Sequence, residues 1–358
     1  MKIAVVLGTR PELIKLAPLL KELKAIGNPY IMIRTGQHYS NNMWTQFMQE
    51  LGVPFGGGYH LQVSNCGHAK MVGLMLQRIE SILIKEKPDL MIVQGDANSG
   101  LAGALAAAKL HIPVAHIEAG LRSYDKRMPE EHNRIIIDHL ATYLFPPTPE
   151  QLINLKKEGL APVNNIPPIV GNTIVDTLKS IKIKRGRPTQ GRTPITNKYA
   201  FVTFHREENV DCPRILRIMI EGIRRVADEL NLQIIFPVHP RTRNKLNRLG
   251  VCDDWAKGKI QFIEPLSYAS CLHYQKNAEV CITDSGGIIE ESCILGTPTV
   301  SVRQSTDRPE AEVWGASVTV KEITQHNIFN ATKEALQLKF EGHPYGENVT
   351  NKILEVLL

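Results

Sequence analysis

The sequence predicts an α/β protein made of two doubly wound halves, each with a parallel sheet, and a ligand cleft between the halves. Short β-branched runs alternate with segments of helical spacing along most of the chain, which is typical of right-handed βαβ units. A polar stretch rich in proline, asparagine and lysine divides this alternation into two similar series. The length of 358 residues suits about two domains.

The first series belongs to a domain that we expect to span residues 1–170. β-Branched residues mark its strands, leucines at helical spacing mark its first helix, and an alanine-rich stretch predicts a tightly packed crossover helix. In chain order, we predict strands at 3–7, 30–35, 90–94 and 113–117 and helices at 11–24 and 100–110.

The second domain is expected to span residues 171–345. We interpret residues 171–183 as a linker helix, and the run 182–192, with five basic residues and no acid, as a solvated connection. A second series of elements follows. In chain order, we predict strands at 199–205, 233–238, 260–263, 280–283 and 299–302 and helices at 212–230 and 288–295.

Composition excludes several classes of protein. No apolar run approaches the ~18 residues that a membrane span needs, and the N-terminal run is too short for an export signal. The six cysteines are scattered without a CxxC pair, which favours a reduced, cytoplasmic protein over a disulfide framework or a zinc site. A net charge of +6 is too small to predict a nucleic-acid partner, but it suits a site for an anionic small molecule.

A polar motif, residues 8–12 (GTRPE), follows the first predicted strand. Arg10 and Lys15 would lie at or near the start of the next helix, which attracts anions. An ordinary turn with surface charges is an equally good interpretation. Neither GxGxxG nor GxxxxGK[ST] occurs, so we predict no nicotinamide cofactor and no P-loop, and the absence of clustered ligands predicts no metal ion.

Acidic residues follow two consecutive predicted strands of the first series. Asp96 follows the third strand and Glu118 the fourth, so both carboxylates would lie at one edge of the sheet as candidates for acid–base catalysis. Glu131 adds a third acid in a polar loop before an apolar helix. Structural roles compete with catalysis. Asp96 and Glu131 could cap helices, and Glu118 could pair with Arg122.

A histidine–arginine pair of the second series suits a phosphate. His205 ends the first predicted strand of this series and Arg206 follows it. Such a pair can bind a phosphate, and the histidine can titrate near neutral pH. A surface turn is the alternative.

The most specific motif, residues 283–291 (TDSGGIIEE), runs from a strand into a helix. Ser285 is a suitable N-cap, and the two glycines after it let backbone N–H groups approach a diphosphate. Glu291 could accept the two hydroxyls of a ribose, and Arg308 could close on the same ligand. A capped helix with an acidic first turn is the alternative.

In this order the motifs resemble those of the non-hydrolysing UDP-N-acetylglucosamine 2-epimerases, over nearly the whole chain. The matching segments are residues 8–12 with Lys15, 94–96, 116–123 (HIEAGLRS), 129–134 (PEEHNR), 171–176 (GNTIVD), 205–209 (HREEN), 284–291 and 303–310. The resemblance implies a GT-B fold of two Rossmann-like domains, with a last helix at residues 346–358 that crosses back onto the first domain. It also implies a cytoplasmic homodimer with a role in polysaccharide biosynthesis.

The resemblance further implies roles for individual residues. The residues with implied acid–base or charge roles are Asp96, Glu118, Glu131 and His205. The implied UDP-binding residues are Arg10, Lys15, His205, Ser285, Gly286, Gly287, Glu291 and Arg308. The motif at the end of the strand 199–205 adds Arg206 to this set. Two positions depart from the family pattern: Ile289 stands where relatives carry glutamine, and residues 37–40 (QHYS) lack the second glutamine of the pattern found in relatives activated by substrate.

Inversion at C2 of such a sugar is difficult because no carbonyl lies next to this carbon to acidify its hydrogen. Without a nicotinamide site, we expect UDP to leave C1, which gives an unsaturated sugar to which UDP adds back. This route needs donors for the departing diphosphate and carboxylates that move protons. Three alternatives remain: a GT-B glycosyltransferase with a UDP-sugar donor, a hydrolysing epimerase that releases UDP and ManNAc, and a UDP-sugar sensor without turnover.

Overall fold

The computed structural model describes residues 1–36, 41–54, 58–64, 66–160, 169–183, 186, 188–190, 193–195, 197–251 and 259–358. Two units are distinguished by their internal contacts. Unit 1 comprises Met1–Ile181 and Tyr345–Leu358, and unit 2 comprises Lys182–Pro344. Residues 171–181 of the expected linker helix belong to unit 1 in this division.

The sheet of unit 1 has six parallel strands. They are β1 Ile3–Leu7, β2 Tyr30–Arg34, β3 Gly58–His60, β4 Leu90–Gln94, β5 Val114–Ile117 and β6 Tyr143–Phe145. Their order across the sheet is β3-β2-β1-β4-β5-β6. The direction of winding reverses between β1 and β4, and doubly wound sheets bind ligands beyond the carboxyl ends of the strands at this point.

Seven helices and a C-terminal helix complete the described part of unit 1. They are α1 Arg10–Ala25, α2 Asn41–Leu51, α3 His68–Glu86, α4 Asn98–Lys109, α5 Pro129–Leu140, α6 Pro149–Lys157, α7 Ile174–Ser180 and the C-terminal helix Val349–Leu357. Small residues let α4 lie close to the sheet, because a Cβ at Gly103 would meet Cγ1 of Val6 at 2.4 Å. Both α7 and the C-terminal helix pack against α1.

Unit 2 repeats the strand order of unit 1. After the antiparallel pair β7 Thr189–Gln190 and β8 Thr193–Pro194 come β9 Tyr199–Thr203, β10 Gln233–Pro237, β11 Ile260–Ile263, β12 Val280–Thr283, β13 Thr299–Ser301 and β14 Ser317–Thr319. The last six form a parallel sheet in the order β11-β10-β9-β12-β13-β14. The prediction of two doubly wound parallel sheets is confirmed.

The described helices of unit 2 flank this sheet. They are α8 Glu207–Val210, α9 Pro213–Glu229, α10 Pro240–Arg248, α11 Tyr268–Lys276, α12 Gly286–Leu295, α13 Pro309–Val313 and α14 Gln325–Ala335. The core lies between the helices and the strands, where α9 buries Leu216, Ile220 and Ile223 against β9 and β10 residues such as Val202 and Phe236.

Buried strands were predicted best. The predicted bounds of β1, β4 and β12 match the structure, because a strand covered on both faces is a largely apolar run. The bounds of the partly buried edge strand β11 also match. The short strands β3, β6 and β14 were not predicted, since three residues carry no periodic pattern.

Three further observations bear on the class of protein. Within the described ranges, no helix has both the length and the apolar character needed to cross a membrane. In the same part of the chain, no three or more His, Cys, Asp or Glu side chains are grouped so that they could hold a metal ion. The five described cysteines are free thiols.

Candidate active site

The loop after β1 is organised around the buried carboxylate of Glu12. Oε2 accepts from the backbone N–H groups of Gly8 (2.9 Å) and Thr9 (2.8 Å), and Oε1 accepts from the hydroxyl of Ser99 (2.6 Å). Burial raises the pKa of Glu12 from 4.5 to about 6, and these hydrogen bonds limit the rise. A Cβ at Gly8 would lie 2.1 Å from Oγ1 of Thr35, so only glycine fits this turn. Glu12 therefore fixes the backbone that leads into α1.

Arg10 begins α1 and stacks on an aromatic ring. Its guanidinium carbon lies 4.4 Å from the centre of the Phe47 ring on α2, and Phe47 is buried. Stacking uses the face of a guanidinium, so the donors in its plane remain suited to an anion.

Lys15 of α1 forms a buried ion pair with Glu118. Nζ of Lys15 lies 2.5 Å from Oε1 of Glu118, and both side chains are 4 % exposed. Gln94, the last residue of β4, donates its side-chain amide to Oε2 of the same carboxylate. Glu118 has a φ of +71°, a left-handed conformation that is strained for a residue with a side chain and that the surrounding contacts must hold in place.

Asp96 and Glu131 share Arg134 of α5. One terminal nitrogen of Arg134 donates to Oδ2 of Asp96, and the other lies 3.2 Å from Oε2 of Glu131. Glu131 also accepts from the backbone N–H of Ser123 at 2.9 Å. The Asp96 side chain is 26 % exposed, whereas Glu118 and Glu131 are almost wholly buried. Of the three acids, Asp96 is the most open to a ligand.

His116 lies on β5, fully buried between two polar partners. Nδ1 is 2.6 Å from Oδ1 of Asp138 on α5, and Nε2 is 2.9 Å from the carbonyl oxygen of Gly95. Arg122 ion-pairs with Asp138 at 2.7 Å rather than with Glu118, so the expected alternative pairing was wrong. Burial alone would raise the pKa of Asp138, but the charges and hydrogen bonds of His116 and Arg122 hold it below its usual value.

Asp284 organises the corresponding loop of unit 2. It accepts from the backbone N–H groups of His205 (3.0 Å) and Arg206 (3.1 Å) and from the amide of Asn209 (3.1 Å). Burial would raise the pKa of Asp284, but the His205 side chain at 3.0 Å and these donors lower it below its usual value. The His205 ring is 53 % exposed, so it can meet a ligand while Asp284 holds it.

The start of α12 provides donors for an anion. Ser285 occupies the N-cap position as predicted, but its hydroxyl makes no capping hydrogen bond to the described helix. Its own N–H donates to Oγ1 of Thr283 at 3.0 Å. The first N–H groups of a helix have no partner within the helix, so those of Gly286 and Gly287 are suited to phosphate oxygens.

Glu291 and Arg308 are each held by a neighbouring side chain. Gln275 of α11 donates to Oε2 of Glu291 at 2.7 Å, and burial together with the Glu291 carboxylate raises the pKa of the Tyr268 hydroxyl. Nε of Arg308 lies 2.6 Å from Oε1 of the buried Glu290. Both predicted ligand-binding groups therefore have fixed orientations.

The expected site residues thus form two groups, each within one unit. Unit 1 brings together, on the segments after β1, β4 and β5, the side chains of Arg10, Lys15, Asp96, Glu118 and Glu131. Unit 2 brings together, on the segments after β9, β12 and β13, the residues His205, Arg206, Ser285, Gly286, Gly287, Glu291 and Arg308. Residues 37–40, where a departure from the family pattern was noted, lie outside the described residues.

Sequence reasoning missed several residues that hold these groups in place. The spacing Thr9-x-x-Glu12 is that of a capping box, which the structure contains, and it could have identified Glu12. The contacts of Phe47, His116 and Gln275 join residues far apart in sequence, and no local pattern indicates them.

Comparison with known proteins places the chain among sugar-nucleotide epimerases. Residues 21–358 match the family model described as UDP-N-acetylglucosamine 2-epimerase. A protein of that name from Methanococcus maripaludis is 42 % identical over 99 % of this chain and 97 % of its own. A UDP-2,3-diacetamido-2,3-dideoxy-D-glucuronate 2-epimerase from Pseudomonas aeruginosa is 35 % identical over 100 % of this chain and 99 % of its own. The crystal structure of Methanocaldococcus jannaschii UDP-GlcNAc 2-epimerase in complex with UDP-GlcNAc and UDP matches with a TM-score of 0.89 and 40 % identity, covering 100 % of this chain and 99 % of that chain.

Proposed function

Because this chain belongs to the UDP-N-acetylglucosamine 2-epimerase family and is therefore an isomerase, we propose that it reversibly converts UDP-GlcNAc to UDP-ManNAc by inverting C2 of the sugar. The observation that supports this most directly is the position of Asp96 and Glu118. Gln94 and Ile117 are paired in register on β4 and β5, so the two acids leave adjoining strands at one edge of the sheet.

The proposed reaction is an elimination followed by an addition. The C2–H bond and the bond from C1 to the UDP oxygen break, UDP leaves with the electron pair of the C1–O bond, and a C1=C2 double bond forms. A proton then reaches C2 from the other face, and UDP adds back to C1. The net change is the configuration of C2, so no oxidant or reductant is consumed.

Unit 1 supplies the proton-transfer groups in this proposal. Asp96 is the most exposed of the three acids, and it exchanges protons with the sugar. Glu118, held by Lys15 in a buried ion pair, leaves the adjoining strand β5 at the same edge of the sheet. Glu131 receives hydrogen bonds from Ser123 and an ion pair from Arg134, so its contacts favour a role in shaping the loop.

Unit 2 binds UDP in this proposal. The N–H groups at the start of α12, the Ser285 hydroxyl and the His205 ring bind the diphosphate, and Arg206 and Arg308 add positive charge. Glu291, oriented by Gln275, accepts the ribose hydroxyls. Preorganised donors of this kind stabilise the departing diphosphate by about 3–4 kcal/mol each. Arg10, stacked on Phe47, adds a donor from unit 1.

Proton NMR of UDP-GlcNAc with the pure protein, without added cofactor, tests this function. We expect UDP-ManNAc to appear until an equilibrium mixture is reached, with no free UDP. Equal amounts of free UDP and ManNAc would instead identify a hydrolysing epimerase, and sugar transfer to an added acceptor a GT-B glycosyltransferase. Binding of UDP-GlcNAc without any product would identify a sensor.

The same inversion on a more highly modified UDP-sugar is the second candidate. It is favoured by the Pseudomonas aeruginosa relative, whose name gives a diacetamido glucuronate sugar. A competition experiment with both UDP-sugars decides between them through the ratio of their kcat/KM values.

We also propose that the enzyme is a cytoplasmic homodimer whose product enters polysaccharide biosynthesis. The family resemblance supports both the dimer and the pathway, and the free thiols of the five described cysteines fit a reducing compartment. Light scattering on the purified protein tests the dimer, with a mass of twice 40.0 kDa expected.

A further inference from the structure

Two loops carry the acids of unit 1, and both are connected to one buried side chain. The first follows β4 and contains Gly95 and Asp96. The second follows β5 and contains Glu118 and Gly120. His116, the penultimate residue of β5, is 0 % exposed. It contacts the first loop directly, at the carbonyl of Gly95, and the second loop through Asp138.

The first connection is a hydrogen bond to the backbone. Nε2 of His116 lies 2.9 Å from the carbonyl oxygen of Gly95. The N–H of Gly95 donates to the carbonyl of Ile117 at 3.0 Å, so both backbone groups of this residue are held by β5 and its side chains. Gly95 has a φ of +63°, and the turn it makes sets the direction in which Asp96 leaves the strand.

The second connection runs through Asp138. Nδ1 of His116 lies 2.6 Å from Oδ1 of Asp138, whose Oδ2 accepts from the N–H of Gly120 at 3.1 Å and from Arg122 at 2.7 Å. Gly120 has a φ of +83°, two residues after the left-handed Glu118. Asp138 therefore ties the ring to the loop that presents Glu118.

Both partners of the ring can only accept hydrogen bonds. A backbone carbonyl has no proton to give, and the ion pair with Arg122 at 2.7 Å keeps the Asp138 carboxyl ionised at neutral pH. A neutral ring would set the lone pair of one nitrogen against an acceptor. The nearby charges also balance when the ring is a cation, since Arg122 pairs with both Asp138 and Glu158.

We propose that His116 is a positioning residue that donates hydrogen bonds from both ring nitrogens and so fixes the two acid-bearing loops relative to each other. It does not touch the substrate. The expected effect of His116 on turnover rests on the proposed epimerase function. Its two hydrogen bonds do not, because they can be detected without any activity.

The kinetic test compares His116→Gln with Leu83→Ala. Glutamine can donate to one partner, but its oxygen then faces the other acceptor. Leu83 is buried in the core of unit 1 near the end of α3 and takes no part in these hydrogen bonds, so its substitution lowers stability without removing any of them. We expect His116→Gln to lower kcat about 100-fold, since small misplacements of reacting groups have effects of this size, with unchanged UDP affinity. Leu83→Ala should keep wild-type kcat at temperatures where both variants are folded.

Equal loss of kcat in both variants, or wild-type kcat in His116→Gln, overturns the proposal. Nitrogen NMR of ¹⁵N-histidine-labelled protein at neutral pH gives a readout that needs no turnover, with the His116 signals identified by their loss in His116→Gln. Two protonated ring nitrogens are expected, and one unprotonated nitrogen contradicts the proposal. If the wild-type protein produces no epimer, the proposed function fails, and the NMR result still decides the hydrogen bonding of His116.

Discussion

Nζ of Lys15 lies 2.5 Å from Oε1 of Glu118, in a pair of side chains that are each 4 % exposed. The two residues are 103 positions apart in sequence and are joined only by the fold. A buried charge that loses its partner is strongly destabilised, whereas the intact pair keeps the carboxylate ionised. The ammonium group therefore controls the charge of an acid that was predicted to take part in catalysis.

Replacing Lys15 with methionine should reduce turnover more than UDP binding. The uncompensated Glu118 carboxylate would favour its protonated form, and the variant should lose about 3–5 kcal/mol of stability. Measurements of kcat, UDP affinity and unfolding check this. The double variant Lys15→Met with Glu118→Gln should recover part of the lost stability. Its kcat should be no lower than that of the slower of the two single variants. A Lys15→Met enzyme with normal kcat but weakened UDP binding would show that Lys15 serves the nucleotide instead.

Asp96→Asn should keep UDP affinity and lose most turnover. The amide retains the size of the side chain but cannot exchange a proton with C2, and acid–base catalysis is worth about 10²- to 10⁴-fold in rate. Titration calorimetry with UDP, alongside kcat for UDP-GlcNAc, separates the two effects. Loss of UDP binding in this variant would misplace Asp96, since we assign this residue to proton transfer and not to nucleotide binding.

Ser285→Ala should weaken UDP binding. Its hydroxyl makes no capping bond to α12 and is assigned to the diphosphate, and hydrogen bonds to charged groups contribute about 1.5–3 kcal/mol. This corresponds to about a 10- to 100-fold rise in the Kd of UDP. Ser267→Ala is a matched control, because Ser267 caps α11 through its side chain and has no role in the proposed site. Equal affinity losses in the two variants would show that the effect at Ser285 does not come from a contact with the diphosphate.

Glu12 should make stability depend on pH in a defined window. Its pKa is about 6 in the folded protein, against 4.5 for an ordinary glutamate, so folding favours its neutral form. Its contribution is fully present below pH 4.5 and is lost as pH rises to about 6. Relative to Glu12→Gln, the wild-type protein should lose about 2 kcal/mol across this window and change little above it. Denaturant unfolding of both proteins over this pH range measures the difference, and a flat or rising difference would be inconsistent with a buried carboxyl of raised pKa.

Much of the fold follows from local patterns, because continuous apolar runs identify buried parallel strands such as Leu90–Gln94 and Val280–Thr283. The edge shared by Asp96 and Glu118 also follows, since neighbouring parallel strands end together. The ion-pair partners of individual side chains do not follow from local patterns. Arg122 is four residues from Glu118, but the left-handed conformations of Glu118 and Gly120 turn the chain so that Arg122 reaches Asp138.

The roles of polar side chains were the least predictable part of the site. Ser285 stands at the N-cap position that its residue type indicates, yet it does not cap through its hydroxyl. The residues that orient the site, Glu12, His116 and Gln275, act through buried hydrogen bonds whose partners only the tertiary structure brings into reach.

Epimerisation of UDP-GlcNAc in D₂O, followed by proton NMR and mass spectrometry, tests the proposed elimination most directly. A proton removed from C2 exchanges with solvent before its return, so we expect deuterium at C2 of both UDP-GlcNAc and UDP-ManNAc while UDP stays attached to the sugar. Formation of UDP-ManNAc with hydrogen retained at C2, or turnover only after a nicotinamide is added, would contradict the account.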